Sequence, residues 1–167
     1  MSQANTIGRL TRAIQVIPSD DHEVPHPAYE VISSTTTSTS RGVLIDSTVN
    51  FETMFDNNEF SIGDIIYDTT NAISAIIEGV NSPTSLGVSS SISSGANYTI
   101  YRAGKNNGCI LILPSMSEIK VGAIAAPDDT LAWTINPGGF RLFPLQVSKV
   151  YNRDTTVISG EIIACFY

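Results

Sequence analysis

The sequence is poor in the residues from which catalytic and nucleic-acid-binding sites are usually built. It holds two histidines, two cysteines and one tryptophan, and nine lysines and arginines stand against 16 aspartates and glutamates in 167 residues. The formal charge of -7 opposes broad attraction to nucleic acid or to an anionic lipid surface, so neither is expected as a partner. No run approaches the roughly 18 consecutive apolar residues of a membrane span, and the opening MSQANTIGRLTR has no apolar stretch of the secretory type. The expectation is a product made in the cytoplasm. A Gly-x-Ser-x-Gly elbow, a phosphate-binding loop, a Gly-x-Gly-x-x-Gly turn and zinc-type cysteine pairs are all missing from the sequence. A non-enzymatic chain with no catalytic, cofactor-binding or metal residues is therefore expected.

What is present favours pleated sheets. The 21 Ile and 11 Val outnumber 8 Leu, and 36 Ser and Thr accompany them. β-branched side chains are stiff at χ1 and pack well on a half-buried pleated surface. With 42% hydrophobic and 15% charged residues the chain has enough apolar material for a core. An all-β protein follows.

Punctuation along the chain divides it into three stretches. Residues 1–40 read as an arm, a first strand over LTRAIQVI (Leu10–Ile17), the Pro-rich loop PSDDHEVPHP, and SSTTTSTS (Ser33–Ser40) as a polar linker or extended edge. Residues 41–102 read as a meander of five short strands making a small barrel, with NFETMF as a helical turn plugging one end. Alternation places Ile65, Tyr67, Ala75, Ile77, Leu86 and Val88 inward, and Asp64, Asp68 and Glu78 in solvent. Residues 103–167 carry stronger strands, CILILP, EIKVGAIA, TLAWTI, LFPLQVSKVY and TVISGEIIACFY, with turn signals every 8–12 residues. That spacing marks an antiparallel β-sandwich, and the last strand, apolar on both faces, belongs in its interior.

Few residues offer chemistry. His22 and His26, flanked by Asp20, Asp21 and Glu23, form a ligand-like set, but Pro25 and Pro27 forbid the helix that would align them, so they read as a solvated loop or one buried at a subunit contact. Asp56, Asn57, Asn58, Glu59 and Asp64 are rich in oxygen ligands, yet the glycine spacing of a calcium loop is absent, so they read as an acidic turn. Asp128-Asp129 reads as a hairpin turn. Cys109 and Cys165 lie in apolar runs and read as buried free thiols. Trp133, Tyr151, Phe140, Phe143 and Tyr167 admit a sugar-stacking surface, with core packing the stronger reading for Trp133 in an alternating strand.

The order in which Pro137-Gly138-Gly139 is followed by LFPLQVSKVY, a polar Asn-Arg-Asp-Thr-Thr turn and an apolar terminal strand resembles tailed-bacteriophage virion proteins of the capsid decoration, cement or head-spike-base type. Gly138, Gly139, Pro144, Val147, Val150, Thr155, Thr156 and Tyr167 carry the resemblance, and AIQVIPSDDHEVP is similar to that group's first strand and turn. Asn152-Arg153-Asp154 departs from the glycine of the group's last turn. The resemblance implies a jelly-roll-like sandwich from residues 1–35 and 103–167, with residues 41–102 inserted as a barrel. It implies a structural protein of the virion, assembled in the host cytoplasm, that stabilises the head by binding the major capsid protein or other virion proteins. A homo-oligomer is expected, a trimer being the simplest geometry at this size. The alternatives are a head-spike base, neck, tail or baseplate component and, outside that class, a receptor- or glycan-binding module.

Overall fold

A computed structural model describes residues 12–106, 108–113, 119–123, 133–135, 141–152 and 162–166. Its strands are β1 (Arg12–Gln15), β2 (Glu30–Thr35), β3 (Ser38–Ser40), β4 (Val43–Ile45), β5 (Ile65–Asp68), β6 (Ile73–Ser82), β7 (Ser85–Val88), β8 (Asn97–Tyr101), β9 (Cys109–Leu113), β10 (Ile119–Ala123), β11 (Trp133–Ile135), β12 (Arg141–Tyr151) and β13 (Ile163–Phe166). One short helix, α1 (Phe51–Asp56), precedes β5. The chain is all-β, in two antiparallel sheets, as its β-branched composition and turn spacing lead one to expect of a sandwich.

The chain divides into two compact units. Tyr29–Lys105 forms one, and Met1–Ala28 with Asn106–Tyr167 forms the other. The boundaries differ from those expected at 40/41 and 102/103, and the difference has a physical cause. Of the two readings of SSTTTSTS, linker and extended edge, the second holds, since Glu30–Thr35 pairs with β8 and Ser38–Ser40 pairs with β4 at the two ends of the strand order.

In the Tyr29–Lys105 unit the strand order is β2-β8-β5-β6-β7-β4-β3. The two ends of that order are consecutive pieces of one stretch of chain. The bend between them stays hydrogen-bonded on both sides, Thr36 N donating to Ala96 O (3.0 Å) and Thr37 N to Ile45 O (2.8 Å). The sheet thus closes on itself as a small barrel. β6 makes the opposite corner: Ile73–Ile76 pair with β5, the remainder pairs with β7, and the register shifts between Ile77 and Gly79. Bulged strands that pass from one sheet face to another are how orthogonal β packings turn corners.

Serine and threonine suit the closing stretch because their hydroxyls find partners there. Ser33 Oγ meets Thr99 Oγ1 at 2.7 Å, Thr35 Oγ1 donates to Asn97 Oδ1 at 2.9 Å, and Thr39 Oγ1 donates to Ile92 O at 3.1 Å. Thr36, buried at the bend, donates to Ser93 O at 2.5 Å and accepts from Ala96 N at 3.0 Å.

The barrel core holds Leu44, Phe51, Phe60, Ile66, Ala75, Ile77, Leu86, Val88, Tyr98 and Ile100, among others. Ala75, Ile77, Leu86 and Val88 point inward as expected, and Glu78 is exposed. On β5 the expected alternation is reversed: Ile66 enters this core, whereas Ile65 and Tyr67 are buried on the opposite face, where the Tyr67 ring meets Tyr101 edge-on at 5.9 Å. Both faces of β5 are covered, so alternation carried no information there. NFETMF becomes α1, capped by Asn50 Oδ1 accepting from Thr53 N at 3.0 Å. Its Phe51 drops into the core against Phe60, with ring centroids 6.4 Å apart and planes at 84°.

The other unit is a six-stranded sheet in the order β1-β13-β9-β12-β10-β11. β13 is interior, between β1 and β9, as its apolar faces require. Cys109, Leu111, Val147, Val150, Ala164 and Phe166 form a core on one face, joined by Ile14 and by Val16 and Val24 from the segment after β1. That Pro-rich segment is laced to the sheet. Val16 N donates to Ile162 O (2.8 Å), Ser19 N to Val150 O (2.9 Å) and Val24 N to Ser148 O (2.9 Å).

Replacing residues 33–40 by a Gly-Ser stretch of equal length would be neutral for a linker. Here it is expected to abolish cooperative unfolding of the barrel in urea. The milder Thr36→Val leaves the Ser93 carbonyl and the buried Ala96 amide without their hydroxyl partner and is expected to cost about 1–3 kcal/mol in the same titration.

Candidate functional site

Most of the polar groups singled out by the sequence have a defined place. In the six-stranded unit His22 is buried, its Nδ1 2.8 Å from Glu23 O, and burial holds its pKa below the ordinary 6.5. His26 is only partly buried. Its Nδ1 accepts from Ala28 N at 3.0 Å, its ring tilts against Phe166 at 4.5 Å, and burial together with Arg12 lowers its pKa. The two imidazoles therefore pin one loop. Asn106 supports the same loop: its Nδ2 donates to Val24 O at 2.8 Å and to Ser148 O at 3.1 Å, and its Oδ1 accepts from Gly108 N at 2.6 Å. Nothing in the sequence separated Asn106 from any other loop asparagine. Asp20 adds a further strap, Oδ1 accepting from Asn152 N at 3.1 Å and the carbonyl accepting from Lys149 Nζ.

Cys109 and Cys165 are buried and free, as expected. Burial pushes the Cys109 thiol up to about 12, and its Sγ donates to Val147 O at 3.2 Å. Burial raises Cys165 as well. Thiols held protonated in this way are poor nucleophiles and poor metal ligands at neutral pH.

In the barrel, the expectation that Asp64 and Asp68 face solvent is overturned, for both are buried. Asp64 accepts from Ser61 N (2.8 Å) and Ala103 N (2.9 Å), tying the entry of β5 to the exit of β8. Asp68 accepts from Thr70 N and Asn71 N, each at 2.9 Å, and from Asn71 Nδ2 at 2.8 Å, which builds the turn between β5 and β6. Asp56, Asn57, Asn58 and Glu59 remain exposed at the end of α1, where Arg102 Nη2 donates to Asn58 O. The oxygens of Asp64 are committed to backbone amides instead of joining that set. Among the described residues no three His, Cys, Asp or Glu side chains come together as a metal-ligand group.

The most heavily bonded group is Asp46, which the sequence did not distinguish. It is wholly buried directly after β4. Oδ2 accepts from Ser34 Oγ of β2 at 2.6 Å and from Tyr98 OH of β8 at 2.9 Å. Oδ1 accepts from Thr48 N at 2.9 Å and Thr48 Oγ1 at 2.6 Å. Burial alone would raise its pKa, but these donors outweigh burial and hold it below the ordinary 3.8. Burial and the adjacent carboxylate push the Tyr98 phenol far above its usual 10.0. The cluster is a structural clamp, because every acceptor site faces a donor from its own barrel.

Of the aromatic set, Tyr151 is buried with Lys149 Nζ 5.0 Å from its ring centroid, and Trp133 lies on β11 opposite Val121. Phe143 and Pro144 lie on β12, and the resemblance-bearing Val147 and Val150 are core residues. Met1–Gly8, Asp128, Asp129, Gly138, Gly139, Phe140, Thr155, Thr156 and Tyr167 lie outside the described residues. Among the described residues the large apolar side chains left in solvent are Ile62 (60% exposed), Tyr29, Ile163 and Phe55. Among the described residues no helix is long and apolar enough to cross a membrane.

Acid should unfold the units in two stages. His22, with a lowered folded-state pKa, contributes stability above pH 6.5 that is lost as pH falls through its folded value. Asp46, also lowered, contributes stability above 3.8 that is lost only at more acid pH. Tryptophan fluorescence, whose single reporter Trp133 lies in the six-stranded unit, is expected to change before the tyrosine signal of the barrel. Tyr98→Phe should cost about 1.5–3 kcal/mol in urea at pH 7 through loss of a hydrogen bond to a charged acceptor. Comparison with known proteins finds no family, no curated protein and no solved structure that matches the chain.

Proposed function

We propose that the chain is a non-enzymatic structural protein of a bacteriophage virion, most simply a decoration or cement protein that binds the assembled head. The resemblance in strand order and turns led to this reading. The observation that carries it furthest is where the polar chemistry goes. Asp46, Asp64, Asp68, Asn106 and His22 are all consumed in holding loops and strands in place. Side chains committed in this way favour a part whose job is shape and contact over one that turns over a substrate.

The mechanism is mass action. A protein that binds the assembled shell and not its free subunits lowers the free energy of the shell by an amount that grows with each occupied site. The barrel brings Glu30, Asp46, Glu52, Asp56, Glu59, Asp64, Asp68 and Glu78 against Arg41, Arg102 and Lys105. Three of its acids are interior, so five exposed carboxylates face three bases. Such a nearly balanced surface, with Ile62 and Phe55 emergent, suits contact with a protein lattice.

Quantitative mass spectrometry of purified particles, scaling this chain's peptides to the major capsid protein, tests the reading. Copies at a fixed fraction of the capsid subunits, reaching hundreds, are expected for shell decoration. A few dozen would place the chain at vertices or spike bases, about six or twelve at the neck or tail, and absence from particles would overturn the virion reading. Particles lacking the chain should release DNA at a lower temperature if it acts as cement.

A further inference from the structure

The six-stranded sheet ends at β1, and the hydrogen-bond phase of that edge can be read. Val16 N donates to Ile162 O, and residues 12–15 continue the same register, Ile14 opposite Ala164 and Arg12 opposite Phe166. In an antiparallel ladder the backbone groups of alternate residues point to opposite edges. Arg12, Ile14 and Val16 therefore spend theirs on β13, and the N–H and C=O of Ala13 and Gln15 point away from the sheet. Both residues are exposed, and among the described residues no hydrogen bond reaches those four groups.

The usual protections of an edge are weak here. β1 contains no proline and its register with β13 has no bulge. Its one charge, Arg12, has its guanidinium turned to Pro27 O at 3.4 Å within its own unit. Natural sheets blunt bare edges with prolines, bulges or inward charges because such edges recruit strands. Beside this edge Ala13, Ile14, Gln15 and Ile163 line a shallow apolar depression, with Ile163 39% exposed.

We propose that β1 is an assembly edge that pairs antiparallel with β1 of a second copy. The register is self-complementary. With the two-fold axis at Ile14, Ala13 of one copy stands opposite Gln15 of the other and the reverse, so all four outward groups on each strand are satisfied by four N–H···O=C bonds. Ile14 meets Ile14 of the second copy on the core side, and the Ile163 side chains flank the seam on the other face. Arg12 falls opposite Val16 of the second copy, so the two guanidinium-bearing positions are four residues out of step, about 13 Å along the strand. That separation exceeds the physiological Debye length of about 8 Å, and the seam opposes no like charges at close range. An unrelated extended peptide would satisfy the same edge, but the match of outward residues, apolar neighbours and separated charges in one register favours a second copy. The pairing is two-fold, in place of the three-fold arrangement expected from size. It is independent of the virion reading, since it concerns the isolated chain.

Sedimentation of the purified full chain over a hundredfold dilution series is expected to show a monomer–dimer equilibrium. Ala13→Pro removes an outward N–H that its own sheet does not use, so it should give monomer at every concentration with an unchanged circular dichroism spectrum and melting temperature. Ile14→Cys places two thiols at a non-hydrogen-bonded cross-strand pair, about 4.5 Å apart at Cα, and should yield a reducible dimer under mild oxidation that the wild-type chain does not form. A wild-type chain that stays monomeric throughout, a dimer that survives Ala13→Pro, or Ile14→Cys that does not cross-link would each overturn the proposal. If Ala13→Pro lowers the melting temperature, the cross-link alone decides. A monomer whose edge is instead taken by an added extended peptide also counts against a second copy.

Discussion

Closing a sheet on itself requires the last strand to meet the first, and in this barrel the place where they meet is organised by the carboxylate of Asp46. It draws donors from β2, from β8 and from the turn after β4, which are the parts that must converge if Glu30–Ser40 is to pair on both sides at once. A buried charge is tolerable only when its hydration is replaced by fixed donors. Four donors at 2.6–2.9 Å supply that replacement, and the depressed pKa of Asp46 reflects how fully they do so. Specificity follows from the same geometry: any slip of β2 along β8 would separate Ser34 from Tyr98 and leave the charge undersolvated. The polar, low-complexity strand gains from that contact a register that its own side chains define poorly.

The sequence made the fold class legible because β-branched content, two-residue alternation and regular turn signals all have the same physical origin in the pleated sheet. It also made α1 legible, through the Asn50 cap and the Phe51 that follows it. It misled where a residue's polarity was taken as its address. SSTTTSTS has no apolar face and so reads as solvent-loving, yet strand hydroxyls can bond across strands as well as to water, and here they do. Asp64 and Asp68, read as solvent-facing, were misplaced in the same way. They are buried because turn amides need acceptors, a demand of the backbone that a hydrophobic pattern does not encode. Asn106 and Asp46 were invisible for a related reason. Their roles depend on partners 42 to 82 and 12 to 52 residues distant in sequence, respectively.

The two units are stiffened by different means. The barrel relies on carboxylates accepting from amides and hydroxyls, whereas the six-stranded unit relies on one loop held down by carbonyl partners and by Asn106. His22 belongs to the second arrangement. His22 is itself part of that loop, and its burial makes the neutral imidazole part of the packing, so proton uptake and loop opening are linked. The sequence reads His22 and His26 as part of a polar loop and not as a ligand pair, but does not show that His22 is buried; the Nδ1 atoms of both face backbone groups of neighbouring residues.

Backbone accounting also separates the units with respect to what lies outside them. Within the barrel the stretch that begins at Glu30 supplies both terminal positions in the order, β2 pairing with β8 and β3 with β4. The six-stranded sheet has no such return, and its outermost strand β1 keeps the amides and carbonyls of Ala13 and Gln15 directed outward. Water satisfies those groups adequately but weakly specifies anything, while a second strand satisfies them and fixes an orientation. For a chain whose histidines, buried carboxylates and thiols are already committed to its own fold, the geometry of assembly is then set by backbone groups at a sheet edge, with the apolar side chains beside them contributing area.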